Sequence, residues 1–237
     1  MANELLIFKS PIDAAEACGQ AMFDAIGEAR ADRGIATVAV SGGSTPKIMF
    51  EWMALQPFDW RNVHLFWVDE RCVPPTDEQS NYRMTKMALL DAIRLPETQV
   101  HRIMGELDPV KAAAMYAGEI AEVFALRGGE LPVFDVLQRG MGGDSHTASL
   151  FPGEPAIADL TGITRALWVP KMNQHRVTLL RGVLERARLT VNLVTGQDKA
   201  LPLDLVLNGA QDLMAHPAQI SSARMQWYVD PLAAAKI

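Results

Sequence analysis

An α/β fold is the class that this sequence predicts, and three observations support it. Short apolar runs alternate along the chain with longer segments of helical spacing, which is the pattern of βαβ units and a mostly parallel sheet. One such run, Ile35–Val40, carries no charged residue, as expected of a strand covered on both faces. No repeat, low-complexity tract or linker interrupts the 237 residues. We therefore expect one Rossmann-like domain over residues 1–237, with helices on both faces of the sheet.

The first elements are marked by their ends as well as by their spacing. Leu5–Phe8 predicts a short strand, Ser10 followed by Pro11 predicts the start of a helix, and Gly34 predicts its end. Further strands are expected at Val63–Val68, Phe134–Leu137, Ala166–Val169, Val177–Leu180, Thr190–Val194 and Gln226–Val229. Further helices are expected after Pro46 through Met53, over Asn81–Ile93, from Pro109 behind an Asp108 cap to about Leu126, and over Lys199–Leu207.

Charge and hydropathy limit the classes of partner. The formal net charge is −6, whereas nucleic-acid binding depends on Lys and Arg contacts to phosphates, so we expect no nucleic-acid partner. A small phosphorylated ligand needs only a few local cations and stays possible. No apolar stretch reaches the roughly 18–20 residues that span a bilayer, and the first residues lack the basic region of a signal peptide. We therefore expect a cytoplasmic protein without a membrane partner.

The chain has two cysteines, Cys18 and Cys72, which we expect to be reduced, because a secreted protein that needs disulfides usually has more of them. Cys18 falls within a helical pattern and is expected in the core. Cys72 follows an Asp-Glu-Arg segment, so a reactive thiol stays possible beside the simpler interpretation of a half-buried bystander.

The loop after the strand Ile35–Val40 has the composition of a phosphate-binding turn. It consists of Ser41, Gly42, Gly43, Ser44, Thr45 and Pro46. Its glycines let the backbone approach a ligand, its hydroxyls and amides are donors, and the helix behind it favours an anion at its N-terminus. The Walker and dinucleotide-binding glycine patterns are both absent from the sequence. A plain strand-to-helix turn with a Ser/Thr cap is the alternative.

A second glycine-rich loop, Gly140–Gly153, follows the strand that begins at Phe134. It contains Asp144 and His146, and an Asp beside a His can orient the imidazole for general-base catalysis. The alternative is a His that only holds the loop by a hydrogen bond. No Gly-x-Ser-x-Gly elbow occurs, so an activated water fits better than a serine nucleophile. No residues have metal-ligand spacing, and we expect neither a metal nor a cofactor.

Together the two loops resemble those of the 6-phosphogluconolactonase family, within the glucosamine-6-phosphate isomerase/6-phosphogluconolactonase superfamily. The string His-Thr-Ala-Ser-Leu-Phe-Pro is specific to that resemblance, whereas the first loop is shared with glucosamine-6-phosphate deaminases. The resemblance covers about residues 5–230. It extends to the Asp-Glu-Arg segment in Val68–Pro74, to Ser80-Asn81, to the Arg-x-Thr-Leu strand in His175–Leu179 and to the Gly-x-x-Lys-Ala turn in Thr195–Ala200.

Two positions depart from the family pattern. Arg139 stands where the family usually has Leu, which puts a charge at the end of a strand that we expect to be buried. Ser145 stands where the family usually has Gly, which adds a side chain to a tight loop. Neither change removes a catalytic group, but both affect the geometry expected of the second loop.

The resemblance implies an enzyme that hydrolyses 6-phospho-D-glucono-1,5-lactone to 6-phospho-D-gluconate, in the oxidative pentose phosphate pathway, without a covalent intermediate. It implies that His146 is the general base that activates water and that Asp144 orients it. The partner is then a small phosphorylated sugar lactone, and we expect a monomer or weak homodimer.

The phosphate and sugar need cations and amide donors, which the matching motifs supply. The residues implied are Ser41, Gly42, Gly43, Ser44, Thr45, Arg71, Arg176 and Lys199. Arg can bind a phosphate through two bonds, whereas Lys acts as a point charge. From the glycine turn itself we also expect the amide of Gly142 or Gly143 to stabilise the carbonyl oxyanion.

Three rival functions stay open. A glucosamine-6-phosphate deaminase would have Gly-His-x-Ala-Phe-Asn in the second loop, unlike the sequence that follows His146, and it would release ammonia. A sugar-sensing repressor module would carry a helix-turn-helix ahead of the first strand, for which we see no room before Leu5. A catalytically weak phosphosugar-binding relative is the third, because of Arg139 and Ser145.

Overall fold

The computed structural model describes residues 2–237, which form two sheets and the helices around them. The strands are β1 (Ala2–Ile7), β2 (Ala36–Val40), β3 (Val63–Trp67), β4 (Asp69–Arg71), β5 (Val100–His101), β6 (Val136–Arg139), β7 (Thr164–Val169), β8 (Gln174–Leu179), β9 (Leu189–Val194) and β10 (Arg224–Val229). The α-helices are α1 (Pro11–Arg33), α2 (Ser44–Ala54), α3 (Asn81–Thr85), α4 (Pro109–Val123), α5 (Arg181–Leu184) and α6 (Ala200–Asn208).

The larger sheet has seven strands in the order β1-β10-β9-β6-β2-β3-β5, and every neighbouring pair is parallel. Its central strands β2 and β9 are buried along their whole length. Successive side chains of a strand point to opposite faces. Accordingly, Tyr228 packs in the core cluster that contains α1, whereas Trp227 packs in the cluster that contains α6. The predicted Rossmann-like α/β fold, with helices on both faces, is confirmed.

The smaller sheet is antiparallel, with the order β4-β8-β7, and the sequence did not predict it. The sequence predicted strands at Ala166–Val169 and Val177–Leu180, which lie in or overlap β7 and β8, but not their antiparallel pairing. Only the short turn at residues 170–173 joins them, whereas a parallel pair needs a crossover of a dozen or more residues. The second half of β7 alternates between buried and exposed side chains, with Leu167 and Val169 buried and Trp168 exposed, which is typical of a sheet with one solvated face.

Two strands and one helix differ from expectation because their sequences carry little signal. β4 consists of three charged residues, and β5 has only two residues. The helix expected over Asn81–Ile93 is α-helical only to Thr85 and continues as the π-helical turn Lys86–Leu90. The amide of Asp91 closes that wide turn on the carbonyl of Lys86 at 2.9 Å.

The predicted ends of the longest helix are confirmed. The Ser10 side chain accepts a hydrogen bond from the Asp13 amide at 3.2 Å, and Pro11 is the first helical residue. Gly34 ends α1, with its amide donating to the carbonyl of Arg30 at 2.9 Å. These bonds satisfy backbone groups that the helix leaves unpaired.

Both cysteines are free thiols. Cys18 lies in the core, as predicted, and burial raises the pKa of its thiol far above the ordinary value. Cys72 is half-buried, and burial, together with the charges of Glu70 and Asp108, raises the pKa of its thiol to about 11. A thiol with so high a pKa is a poor nucleophile at neutral pH, which favours the bystander interpretation. Within residues 2–237, no helix combines the length and apolar character required to cross a membrane.

Candidate active site

The site lies where the loops after β2, β6 and β9 meet. These three strands are neighbours in the sheet, and parallel strands bring their carboxyl ends to the same edge. The sheet order also reverses there, since the chain runs outward from β2 in one direction and from β6 in the other. The loops enclose a cavity of about 200 Å³. Its lining includes residues 41–46, 140–142, His146, Thr195 and Lys199 from the large sheet, and Asp69, Arg71, Asn81 and Arg176 from the small sheet and α3.

The first loop requires glycine at position 42, because the side chain of Asn81 occupies the space that a side chain at position 42 would need. A Cβ on Gly42 would lie 1.8 Å from the side-chain oxygen of Asn81. Asn81 is itself held in place, since its amide nitrogen donates to the carbonyl of Asp69 at 2.9 Å. The loop can therefore pass directly beneath Asn81 only if residue 42 has no side chain.

The loop leads into α2 with amides that have no partner in the helix. The first helical bond runs from the Lys47 amide to the Gly43 carbonyl at 3.1 Å, so the amides of Ser44 and Thr45 precede the helical ladder. Unpaired amides and the positive end of the helix dipole together favour an anion. The Thr45 hydroxyl lies 2.9 Å from that of Thr195, which ties α2 to the loop after β9.

Ser41 differs from the rest of its loop because its donors are already engaged. Its amide donates to the side-chain oxygen of Gln138 at 3.0 Å, and its hydroxyl donates to the Gln138 carbonyl at 3.2 Å. Ser41 lines the cavity but is largely buried. Its contacts fasten the first loop to β6.

The two predicted arginines lie directly opposite each other on neighbouring antiparallel strands. Arg71 of β4 pairs in register with Arg176 of β8, and both line the cavity. Arg71 donates through Nη1 to the Gln79 carbonyl, and Arg176 Nη1 lies 3.9 Å from an Asp69 carboxylate oxygen. The Nε of each is buried and has no acceptor among the described residues. Burial lowers the pKa of Arg176.

Like charges directly opposite in a sheet destabilise it, and so do buried donors without acceptors. An anion between the two guanidinium groups would reduce the repulsion between the like charges and would give the buried donors an acceptor. Lys199 adds a third cation to the cavity, from the turn after β9, and its Nζ lies 2.8 Å from an oxygen of Asp198. Arg71, Arg176 and Lys199 thus line the same cavity as the N-terminus of α2.

The second loop folds the imidazole of His146 back over the glycine turn. His146 Nδ1 lies 2.5 Å from Asp144 Oδ1, and a Cβ on Gly142 would lie 2.0 Å from that nitrogen. The hydrogen bond to His146 is the main cause that holds the pKa of Asp144 far below its usual range, and the ammonium of Lys171 adds to it. Asp144 is therefore ionised, so Nδ1 donates to it and Nε2 is left unprotonated in the neutral ring.

The ring of Phe151 stacks on the imidazole at a centroid distance of 4.2 Å. His146 is therefore held at one edge by a carboxylate and on one face by an aromatic ring. No hydrogen bond to a described residue engages its Nε2. The arrangement fits a base that can take a proton from a group in the cavity.

The two predicted oxyanion donors have different surroundings. The amide of Gly142 donates to the carbonyl of His146 at 2.9 Å, so it is not free for a ligand in this conformation. Gly143 does not line the cavity itself but is the next residue in the chain after Gly142, which does. A Cβ on it would lie 3.7 Å from an oxygen of Asp198, which is ordinary contact distance.

Three residues at or beside the cavity were not predicted as site residues from the sequence. Lys171 contacts the carboxylate of Asp144, and Asn81 and Thr195 line the cavity. The Ser80-Asn81 helix start belonged to the family resemblance, and its position in that motif was the available signal. Nothing around Lys171 in the sequence distinguishes it from a surface lysine.

Both departures from the family pattern are buried and contact the same segment. Ser145 has φ of 65°, a left-handed conformation that favours glycine, and its carbonyl accepts from the Ala218 amide at 2.9 Å. Arg139 is fully buried, and its Nη2 donates to the Ile220 carbonyl at 2.8 Å. Its Nε and Nη1 have no partner among the described residues, and burial lowers its pKa to about 10.

Among residues 2–237, no group of three or more His, Cys, Asp or Glu side chains is arranged to hold a metal ion. Fold and site together define a class of α/β proteins. In this class, a cavity at the carboxyl ends of parallel strands is lined by cations and backbone amides and lies beside an Asp–His pair. Members of this class can bind a small anion and transfer a proton beside it.

Comparison with known proteins narrows that class. The family described as glucosamine-6-phosphate isomerases/6-phosphogluconolactonase matches residues 9–228. The 6-phosphogluconolactonase of Synechocystis sp. is 38% identical over 209 residues, 86% of this chain and 86% of that protein. That of Mycobacterium tuberculosis is 34% identical over an alignment of 249 residues, which covers 100% of this chain and 99% of the relative. The solved 6-phosphogluconolactonase of Trypanosoma cruzi superposes with a TM-score of 0.89 at 26% identity, covering 100% and 97% of the two chains.

The chain therefore belongs to the 6-phosphogluconolactonase family, within the wider group that also contains the glucosamine-6-phosphate isomerases. The resemblance inferred from the two loops is confirmed, and so is the enzyme class that it implied.

Proposed function

We propose that this chain hydrolyses 6-phospho-D-glucono-1,5-lactone to 6-phospho-D-gluconate, the lactone-opening step of the oxidative pentose phosphate pathway. One observation carries the proposal: a single cavity is lined both by three cations and by a histidine whose Nδ1 is bound to a carboxylate. The named relatives support it, since they carry the same activity in their names over most of their length.

The phosphate is bound by Arg71, Arg176 and Lys199 and by the amides at the start of α2. Its negative charge relieves the repulsion between the opposed arginines and supplies acceptors for their buried Nε groups. The loop residues Gly42, Gly43, Ser44 and Thr45 contact the phosphate or sugar, and Ser41 supports them from beneath through its bonds to Gln138.

The chemistry takes place at Nε2 of His146. Nε2 accepts a proton from water while the water oxygen forms a bond to the lactone carbonyl carbon, and the carbonyl oxygen becomes an oxyanion. The tetrahedral intermediate then collapses, the bond from that carbon to the ring oxygen breaks, and His146 returns the proton to the ring oxygen. The carboxylate of Asp144 stabilises the imidazolium between the two transfers. No bond forms between enzyme and substrate.

Gly143 is the amide that we propose for the oxyanion, because the amide of Gly142 can serve only if its bond to the His146 carbonyl opens. We also propose that residues 1–237 act as one catalytic domain, since loops from residue 41 to residue 199 line the same cavity. For the oligomeric state, we propose a monomer or a weak homodimer.

The test is an assay of the purified protein with freshly generated lactone. Formation of 6-phosphogluconate is followed through 6-phosphogluconate dehydrogenase, and the spontaneous hydrolysis rate is subtracted. We expect a rate proportional to enzyme concentration and no ammonia from glucosamine 6-phosphate. A lactone rate equal to the spontaneous one, or release of ammonia, would overturn the proposal.

A further inference from the structure

The carboxylate of Asp144 has two oxygens, and the structure gives each a partner from a different part of the fold. Oδ1 binds His146 at 2.5 Å, whereas Oδ2 accepts a hydrogen bond from the ammonium of Lys171. Lys171 belongs to the turn Pro170–Met172, which joins β7 to β8 in the small sheet. The catalytic pair on the large sheet is thus tied to the small sheet.

Lys171 also contacts the second group that holds the imidazole. Its Nζ lies 5.5 Å from the centre of the Phe151 ring, and that ring stacks on His146. One ammonium therefore contacts both the carboxylate at the edge of the imidazole and the aromatic ring on its face.

Lys171 could instead be a surface lysine in an ordinary ion pair. Its side chain is 55% exposed, and exposed pairs contribute only about 0–1 kcal/mol to stability. The effect that matters here is different, because the partner of Lys171 is the residue that orients the proposed base. Lys171 is absent from the cavity lining, so a direct contact with substrate is not what the structure shows.

We propose that Lys171 is a positioning residue, which fixes the plane of the Asp144 carboxylate and through it the orientation of His146. A carboxylate with a single anchored oxygen can rotate about its last side-chain bond. Anchoring the second oxygen removes that freedom and keeps Oδ1 on Nδ1. This inference rests on the proposed function, because it concerns the base of that reaction.

The first experiment compares two substitutions of Lys171 with a matched control. Lys171→Met keeps the unbranched stem and removes the charge, whereas Lys171→Arg keeps a cation. We expect Lys171→Met to lower kcat about 10- to 100-fold with little change in KM, since misplacement of a catalytic group affects the reaction more than binding. Lys171→Arg should recover most of the rate. Lys86→Met, which removes another exposed, ion-paired lysine, should behave as the wild type.

A double-mutant cycle shows whether Lys171 acts through Asp144. In the Asp144→Asn background, Lys171→Met should cause little additional loss of kcat, because the group that it positions is already gone. A full additional loss would show that Lys171 acts on something else. An unchanged kcat in the single Lys171→Met variant, or a raised KM at constant kcat, would overturn the proposal, and the second result would make Lys171 a substrate contact.

A proton NMR measurement tests the same inference without any substrate. The Nδ1 proton of His146, in its short bond to Asp144, should resonate far downfield and is assigned by its loss in His146→Gln. We expect this resonance to shift or broaden in Lys171→Met and to return in Lys171→Arg. An unchanged resonance in Lys171→Met would contradict the role of Lys171. If the wild type had no lactonase activity, the proposed function would be contradicted. The NMR comparison would still show whether Lys171 positions His146, because it needs no substrate.

Discussion

Gly42 and Gly142 determine, at the scale of single residues, how closely the functional groups approach each other. A side chain at position 42 would collide with Asn81, and one at position 142 would collide with the imidazole of His146. Both glycines could be singled out from the sequence, because each belongs to a short glycine-rich run after a strand. The atoms that exclude a side chain could not, because they come from distant or folded-back residues.

Lys199 is a residue at which binding and chemistry should separate. Its ammonium lines the cavity as a point charge, and its ion-pair partner is Asp198 rather than the Asp144–His146 pair. We expect Lys199→Ala to raise KM by roughly 10- to 100-fold, the loss of one charged hydrogen bond of about 1.5–3 kcal/mol, with a smaller effect on kcat. Steady-state kinetics checks this, with Lys86→Ala as the control. An unchanged KM would remove Lys199 from the phosphate site.

Arg139 is a second residue with a distinct expectation, which concerns stability. It is a fully buried guanidinium without a carboxylate partner among the described residues, and two of its nitrogens lack acceptors. Replacing a buried ion pair by apolar residues of similar volume is often neutral or stabilising, and a buried guanidinium without a carboxylate lacks even the attraction that offsets part of the burial cost in such a pair. We therefore expect Arg139→Leu to raise the free energy of unfolding by about 1–3 kcal/mol.

Urea denaturation measures this change, with Arg186→Leu, at an exposed position, as the control. The Ile220 carbonyl loses its donor in Arg139→Leu, which offsets part of the gain. A clear loss of stability in Arg139→Leu would show that this bond and the packing of the arginine stem outweigh the cost of burying the charge.

At the scale of elements, the two ends of β6 have different tasks. Hydrogen bonds of Asp135 fix the start of the strand, and the loop after its end lines the cavity. Asp135 precedes the strand and accepts from the amide and hydroxyl of Thr37, each at 2.9 Å, and from Arg33 at 2.7 Å. These bonds join β6 to β2 and to the end of α1. The cavity lies beyond the opposite ends of the same strands.

Asp135→Ala should therefore lower stability without changing the kinetics of the folded protein. It leaves the buried Thr37 amide without its acceptor and Arg33 without its buried partner, which we expect to cost about 2–4 kcal/mol. Asp32→Ala, which removes the exposed partner of Arg33, should change stability by less than about 0.5 kcal/mol. Urea denaturation and steady-state kinetics of both variants check this. A wild-type stability for Asp135→Ala, or an altered kcat, would contradict the separation of the two ends.

The strands and helices differ in how well the sequence predicts them. The central strands of the large sheet were predictable because burial on both faces requires apolar runs, whereas the two-residue β5 was not. Helix α1 was predictable because its caps are local. The small sheet was not, because β4 is fully charged and pairs with a strand more than a hundred residues away. The opposed placement of Arg71 and Arg176 depends on that pairing, so their proximity could only be inferred through the family resemblance.

At the scale of the whole molecule, the site exists only where the two sheets meet. The large sheet contributes both glycine loops, His146 and Lys199, whereas the small sheet contributes the two arginines and Lys171. We therefore propose that different side chains of one cavity bind the phosphorylated ligand and transfer the proton. Asp144 stays ionised because its pKa is held far below its usual range by His146 and then by Lys171.

The measurement that tests this division most directly is a comparison of His146→Gln with the wild type. It determines kcat for lactone hydrolysis together with the affinity for the product 6-phosphogluconate, measured by calorimetry. We predict that kcat falls about 10²- to 10⁴-fold while the affinity stays close to that of the wild type. The exposed His175→Gln serves as the control and should retain both values. A near-normal kcat in His146→Gln would contradict the assignment of His146 as the base.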